Sequence, residues 1–286
     1  MIEIIKSGLY TTIQDLGRFG YENFGVPISG AMDQTSSKLT NKLLGNNIND
    51  AVMEITMTGP TINFLEETKI CITGADISPS INNTYVNLNR VYHIKKGDIL
   101  KFGKLKYGLR SYLGVRGGFM TEIIMGSRSM FSNITKSNRL EAGDSLKLKR
   151  LVKTKTKEHF VNDDFLGHIN NNVIEVFKGP EFNKLTEKQK NILFNKEFTV
   201  SNDNNRMAYQ LNEQIDNKIN PIITSLVMQG TVQLTPSGKI IILMRDSQTC
   251  GGYPRILQLS KKAIDKLSQK HTFNKIKFAF QFRADF

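Results

Sequence analysis

The stretch from Thr12 to Asp33, TIQDLGRFGYENFGVPISGAMD, gathers side chains that can hold an anion or move a proton. Asp15 and Asp33 are carboxylates suited to general acid–base work. Arg18 offers a planar fork for a carboxylate or phosphate, and Ser29 adds a hydroxyl. Gly17, Gly20, Gly25 and Gly30 separate them, and the stretch follows neither a period of 2 nor one of 3.6. Glycines so spaced mark turns or close backbone approaches, and turns commonly present binding groups. Asp and Ser are also ordinary turn formers, so a bracing role stands beside the chemical one.

A second stretch, RDSQTCGGYPR at 245–255, follows the apolar run 240–244. A short β-branched run bounded by turn signals predicts a buried strand. Asp246, a third acid–base candidate, then arrives at the strand's end with Gln248 and Thr249, on a loop loosened by Gly251 and Gly252 and followed by Tyr253. Four arginines lie in Gly- or Ser-rich turns or beside predicted strand ends: Arg18, Arg116, Arg128 and Arg206. GSRS at 126–129 adds the Ser127 hydroxyl to Arg128, a sequence suited to an anion nest. Each arginine could bind a substrate anion or pair with Asp15, Asp203 or Asp246 and brace a turn. The 12–33 stretch, the GSRS turn and the 245–255 loop are expected to converge on one cleft, since each supplies only part of what anion binding joined to proton transfer needs. None of the four histidines (His93, His159, His168, His271) falls in a motif, so neither a His triad nor a metal site is expected. Cys71 and Cys250 make no zinc spacing and no disulfide framework.

The elements that must position these groups read as mainly β. Strands are expected at 2–5, 52–57, 61–64, 68–73, 91–94, 98–102, 110–115 and 145–149, and then at 173–177, 197–200, 206–211, 223–228, 230–235, 239–244, 254–259 and 275–282. They are separated by Gly, Asn, Pro and Asp clusters. Short helices are expected at 34–44, with Asp33 as N-cap and Gly45 at the end, at 186–194 with Thr186 as cap, and at 261–270 behind Ser260. The polar stretch 151–172 lacks period and reads as a linker. The expected division is therefore a β-rich domain over 1–150, the linker 151–172, and a second β-rich domain over 173–286. Asp15-x-x-Arg18-x-x-Tyr21 recurs as Asp203-x-x-Arg206-x-x-Tyr209, a trace of internal duplication.

The net charge of +13 raises the question of nucleic acid. Residues 1–150 hold 19 Lys and Arg against 13 Asp and Glu, and residues 151–286 hold 20 against 13. The excess is spread evenly, with no long basic run, so no nucleic acid is expected and an anionic substrate or acidic protein partner fits better. Apolar runs of about five residues fall short of the roughly 20 needed to span a bilayer, and no signal peptide is visible, so no membrane partner and a cytoplasmic location are expected.

The segments QDLGRFGYENFGVPISGAMD, GSRS and DSQTCGGYP, with TGPTINF (58–64), RSYLGVRGGF (110–119) and NRMAYQL (205–211), resemble the KipA / allophanate-hydrolase-subunit-2 family. This family is also called the biotin-dependent carboxyltransferase family and includes 5-oxoprolinase subunits of the PxpC type. The likeness runs from Gly8 to about Phe278. It implies two fused β-barrel-like domains of cyclophilin-like type. It implies a subunit of an ATP-dependent 5-oxoprolinase, opening 5-oxo-L-proline to L-glutamate with a KipI-type subunit (allophanate hydrolase subunit 1 type) and a LamB/YcsF-type subunit. The cofactor so implied is ATP with magnesium, although no local nucleotide motif is present. The substrate class is a small amide or lactam. Two alternatives stay open: the carboxyltransferase component of a biotin-dependent urea carboxylase and allophanate system, with biotin as its cofactor, and a KipI-binding regulatory protein. Cys250 departs from the Thr or similar residue usual in the family at that place.

Overall fold

The computed structural model describes residues 1–149 and 165–281. Most of the expected linker, 151–164, therefore lies outside the described residues. The chain forms two compact units, one of Met1–Phe19 with Ser29–Asn170 and one of Gly20–Ile28 with Asn171–Phe286.

In the first unit the strands are β1 (Ile2–Lys6), β2 (Tyr10–Gln14), β3 (Val52–Thr56), β4 (Thr61–Phe64), β5 (Thr68–Asp76), β6 (Ser80–Ile81), β7 (Thr84–Tyr85), β8 (Val91–Ile94), β9 (Ile99–Lys101), β10 (Tyr107–Val115) and β11 (Ser145–Leu146). They make a six-stranded sheet in the order β11-β1-β4-β9-β6-β7 and a five-stranded sheet in the order β2-β3-β10-β5-β8. Ile2, Ile4, Ile62, Phe64 and Leu100 from one sheet and Ile13, Met53, Ile55, Ile72, Leu113 and Val115 from the other share a single apolar core. Helix α1 (Gln34–Leu44) lies on β5 and β10. It starts where Asp33 accepts from the Ser36 backbone N–H and ends at Gly45 in the left-handed region, as the capping residues foretell. A short helix α2 (Phe165–Asn170) packs against β10.

Strand β2 escapes the sequence reading because it does not alternate. Thr11, Thr12, Ile13 and Gln14 are all buried, the polar ones included, so no face is left polar to mark a period of 2. This strand ends one residue before Asp15 and so aims the glycine-rich stretch.

In the second unit β12 (Val173–Lys178), β13 (Phe198–Asn204), β14 (Ala208–Gln214), β16 (Thr231–Leu234), β17 (Lys239–Leu243), β19 (Arg255–Leu259) and β20 (Lys275–Phe280) close into a barrel in the order β12-β19-β16-β17-β14-β13-β20. Closing the ring removes exposed strand edges. Of its neighbouring pairs, β12 with β20 is parallel. A two-stranded ribbon, β15 (Ser225–Leu226) with β18 (Cys250–Gly251), stands apart, and it is all of the strand expected at 223–228. Helices α3 (Glu187–Asn195) and α4 (Lys261–Ser268) start at the expected caps, Thr186 with a full capping box through Gln189 and Ser260 through the Ala263 N–H. The chain is mainly β with a few short helices, as expected.

Just past α4, Lys270 is buried in the barrel unit and its ammonium donates to Asn172 Oδ1 at 2.8 Å. Burial, with a smaller push from Lys266, pulls its pKa down from the usual 10.5 to about 8. A lysine depressed in the folded state costs stability while the unfolded chain holds the proton more tightly, and the cost fades as pH rises from about 8 toward 10.5. We predict that Lys270→Met is stabilised relative to the wild type at pH 7, with an advantage that shrinks steadily from pH 8 to 10. Urea titrations at each pH measure it, and a difference that does not change with pH contradicts the buried-ammonium account.

Candidate functional site

Asp15 leaves β2 and meets the GSRS turn. Residues 124–127 form a two-residue hairpin: Ile124 N–H donates to Ser127 O at 2.9 Å, and Ser127 N–H to Ile124 O at 3.2 Å. The central residues Met125 and Gly126 both have positive φ, 52° and 74°, the signature of a type I′ turn. This geometry aims three donors at one carboxylate. Ser127 Oγ and Ser129 Oγ donate to Asp15 Oδ1 at 2.7 and 2.6 Å, and the Arg128 N–H donates to Oδ2 at 2.6 Å. A fourth, the Gly17 N–H, reaches Oδ1 at 2.8 Å. The GSRS turn is indeed an anion nest, but the anion in it is the chain's own Asp15. Asp15 and Ser127 thus brace the turn. The buried Arg18 fork donates to Ser129 O at 2.6 Å and secures the same corner.

Ser29 and Gly30 close against this cluster from the other side. The Ala31 N–H donates to Asp15 O at 2.8 Å, and Gly30, at φ 89°, sits so near the Leu16–Gly17 backbone that a Cβ would come within 2.8 Å of Gly17 N. Ser29 takes a left-handed φ of 57°, is fully buried, and its hydroxyl has no hydrogen-bond partner among the described residues. Strain joined to an unsatisfied polar atom is more typical of functional positions than of inert ones.

Asp33 caps α1, as foreseen. Besides capping α1 it accepts from Ser36 Oγ at 2.5 Å, and His168 Nε2 on α2 lies 3.3 Å from its Oδ1. Beneath them a buried chain of polar groups runs across the sheet. The Asp33 N–H donates to Tyr112 Oη at 2.7 Å, Tyr112 Oη donates to Glu54 Oε2 at 2.8 Å, and the Met32 N–H reaches the same oxygen at 2.7 Å. Arg110 Nε lies 3.9 Å from Glu54 Oε1. Burial, reinforced by the Glu54 and Asp33 carboxylates, pushes the Tyr112 phenol well above its ordinary range, so it stays a neutral donor. Sequence reasoning misses His168. It lies 135 residues from Asp33 in a stretch without motif or period, and no local signal could have found it.

The remaining candidates are placed elsewhere. Arg116 donates to Leu44 O at the C-terminal end of α1, a cap rather than an anion site. Arg128 turns its guanidinium away from Asp15 and donates to Thr121 O. In the second unit Arg206 grips Asp246 with both arms, Nε to Oδ2 at 2.7 Å and Nη2 to Oδ1 at 3.0 Å, both side chains over nine-tenths buried. Each is thereby the other's partner. Gly251 pairs with Ser225 in the ribbon, Gly252 O accepts from the Ile222 N–H at 2.9 Å, Gln248 is exposed, Thr249 is half-buried, and Tyr253 keeps 41% of its surface. The structure therefore brings Asp15, Arg18, Ser29, Ser127 and Arg128 together in the first unit. Asp33 with His168 and, separately, Arg116 lie elsewhere in that unit. The residues from Arg206 to Tyr253 belong to the second. Among the described residues no group of three or more His, Cys, Asp or Glu could hold a metal ion.

A family model described as "Carboxyltransferase domain, subdomain A and B" matches residues 24–280. A 5-oxoprolinase subunit of Haemophilus influenzae is 31% identical over 97% of this chain and 90% of its own length. The corresponding 5-oxoprolinase subunit of Escherichia coli is 30% identical over 94% and 87%. The crystal structure of the K. lactis urea amidolyase superposes with a TM-score of 0.86 at 28% identity, over 97% of this chain and 18% of that one.

The two turns give a graded test. Gly30→Ala forces a Cβ onto backbone atoms and a residue into a positive φ, and is expected to cost roughly 2–4 kcal/mol. Gly126→Ala meets no atom within 4 Å, so only its φ of 74° opposes it, at about 1 kcal/mol. Denaturant unfolding of the two variants should rank them in that order. Equal losses would mean that Gly30 is not pressed against the Leu16–Gly17 backbone.

Proposed function

This chain belongs to the family of carboxyltransferase domains built of subdomains A and B, and from that premise we propose that it is a subunit of an ATP-dependent 5-oxoprolinase. In this reading it opens 5-oxo-L-proline to L-glutamate together with a KipI-type and a LamB/YcsF-type subunit. The observation that carries the reading is the near full-length likeness to the two bacterial 5-oxoprolinase subunits. The likeness to the Lachancea kluyveri urea amidolyase, 42% over 131 residues, spans 46% of this chain and 7% of that protein. That shorter match keeps open the second reading, a carboxyltransferase component working from biotin.

Opening a lactam requires polarising its carbonyl oxygen and delivering a proton to its nitrogen. ATP supplies the activation by making the amide oxygen a leaving group, and the donor set that suits its phosphates is the cationic wall beside Arg128. Magnesium, for which no carboxylate cluster stands ready among the described residues, comes with the phosphates in this scheme. The sequence offers Asp15, Asp33 and Asp246 for proton transfer. Asp15 is filled by four donors and Asp246 by Arg206, so the work passes to Asp33 and His168. In this scheme the fully buried carboxylate fixes the imidazole, and the imidazole gives and takes the proton.

Reconstitution tests the assignment. The three subunits with ATP and magnesium should convert 5-oxoproline to glutamate, the isolated chain should not, and leaving this chain out should abolish turnover. Unimpaired turnover without it, or carboxylation of urea from a biotin carrier in its place, overturns the reading. His168→Gln is expected to lower kcat by about 10²–10⁴-fold with KM little changed. A loss confined to KM would make His168 a binding residue instead.

A further inference from the structure

A cavity of about 380 Å³ opens in the first unit beside the GSRS hairpin. Three cations line it, Arg128, Lys136 and Lys147, against one carboxylate, Glu122. None of the three cations takes part in an ion pair among the described residues, although the first unit pairs Lys106 with Asp76 and Arg139 with Glu141. Unneutralised cations converging on one concavity raise the local concentration of anions. A monocarboxylate would leave charge uncompensated there, whereas a phosphate ester, with a charge of about −1.5 to −2, balances it.

The Arg128 position is fixed before any ligand arrives. Its N–H is held by Asp15 at 2.6 Å, and its guanidinium donates to Thr121 O and lies 3.6 Å from Met120 Sδ. The rest of its fork is left over for a ligand, and a preset donor loses little freedom on binding. The Thr121 hydroxyl in the same wall is shielded from solvent and has no partner among the described residues. Met120, Ile124 and Met130 supply the apolar side of the cavity. Thioethers pack well against flat aromatic rings, and the volume lies within the range of small-molecule sites.

We propose that this cavity binds a phosphate ester with an aromatic body, of nucleotide size, its phosphates on Arg128, Lys136 and Lys147 and its ring against Met120 and Met130. The proposal deepens the oxoprolinase reading, which needs a site for a phosphoryl donor, but its measurement does not depend on turnover.

Calorimetric titration of the isolated full chain with a non-hydrolysable ATP analogue reads the site directly, with inorganic pyrophosphate, glutamate and 5-oxoproline as competitors. The analogue should bind, pyrophosphate should displace it, and the two carboxylates should not. Lys136→Gln with Lys147→Gln should weaken both phosphate ligands by about tenfold or more. Met120→Ala should weaken the analogue and leave pyrophosphate unchanged. Both lysines are exposed, so the double variant keeps its fold even if Arg128→Ala does not. No binding at millimolar analogue, unchanged affinity in the double variant, or displacement by glutamate as effective as by pyrophosphate overturns the proposal. Binding as expected without lactam opening in the reconstituted complex would remove the functional reading and leave this site standing.

Discussion

The Asp15 carboxylate is the point on which the first unit's candidate site depends. Four donors from two places in the sequence, Gly17 and the Ser127-Arg128-Ser129 turn, meet on its two oxygens. Hydrogen bonds to a charged acceptor are individually about twice as strong as neutral ones, and these replace most of the hydration the carboxylate gives up. Its own backbone takes part as well, N–H to Ser129 Oγ and C=O from Ala31, so the residue ties the end of β2 to both the GSRS hairpin and the Ser29–Gly30 turn. The local dielectric is low and the geometry crowded, which leaves little room for any of the three segments to move alone.

The same unit solves a second electrostatic problem below α1. Glu54, Asp33, Arg110 and Tyr112 are all buried on or beside the five-stranded sheet, where an unpaired charge is costly. Tyr112 links the two carboxylate regions by accepting from the Asp33 backbone and donating to Glu54, while Arg110 supplies the opposing charge. Such a network is satisfied only as a whole. Placing His168 against it adds one ionisable group at its edge, with 12% of its side chain still reachable by solvent. The inner carboxylate is thus fixed and dry while the outer imidazole touches water.

What the sequence revealed follows from how local each cause was. The caps at Asp33, Thr186 and Ser260 act within one helical turn, and all three were legible. Strand β2 was not, because its polar residues are buried by partners far away. The short β6–β7 hairpin was not either, since two-residue strands carry no periodicity and only the Asn82-Asn83 turn marks it. Among the site residues, Arg18, Ser127 and Arg128 were found by type and position, yet the direction each faces was not. Asp203 stands near Arg206 in sequence and would be the natural guess for its partner, but Arg206 bonds Asp246, 40 residues on. The spacing that suggested duplication therefore does not carry the same contacts in both copies.

The barrel of the second unit is sealed by its first and last strands, β12 and β20, lying parallel, with β20 also bonded to β13. About a hundred residues separate the two closing staves. During synthesis β13, β14, β16, β17 and β19 emerge while the ring still has a gap, and their apolar inner faces, Val200, Leu211, Val232, Ile242 and Leu257, stay partly uncovered until 275–280 arrives. Non-local closure of this kind slows folding and prolongs exposure of sticky intermediates. Completion of the barrel therefore waits on the final strand, whose arrival covers the last open edge on both sides at once.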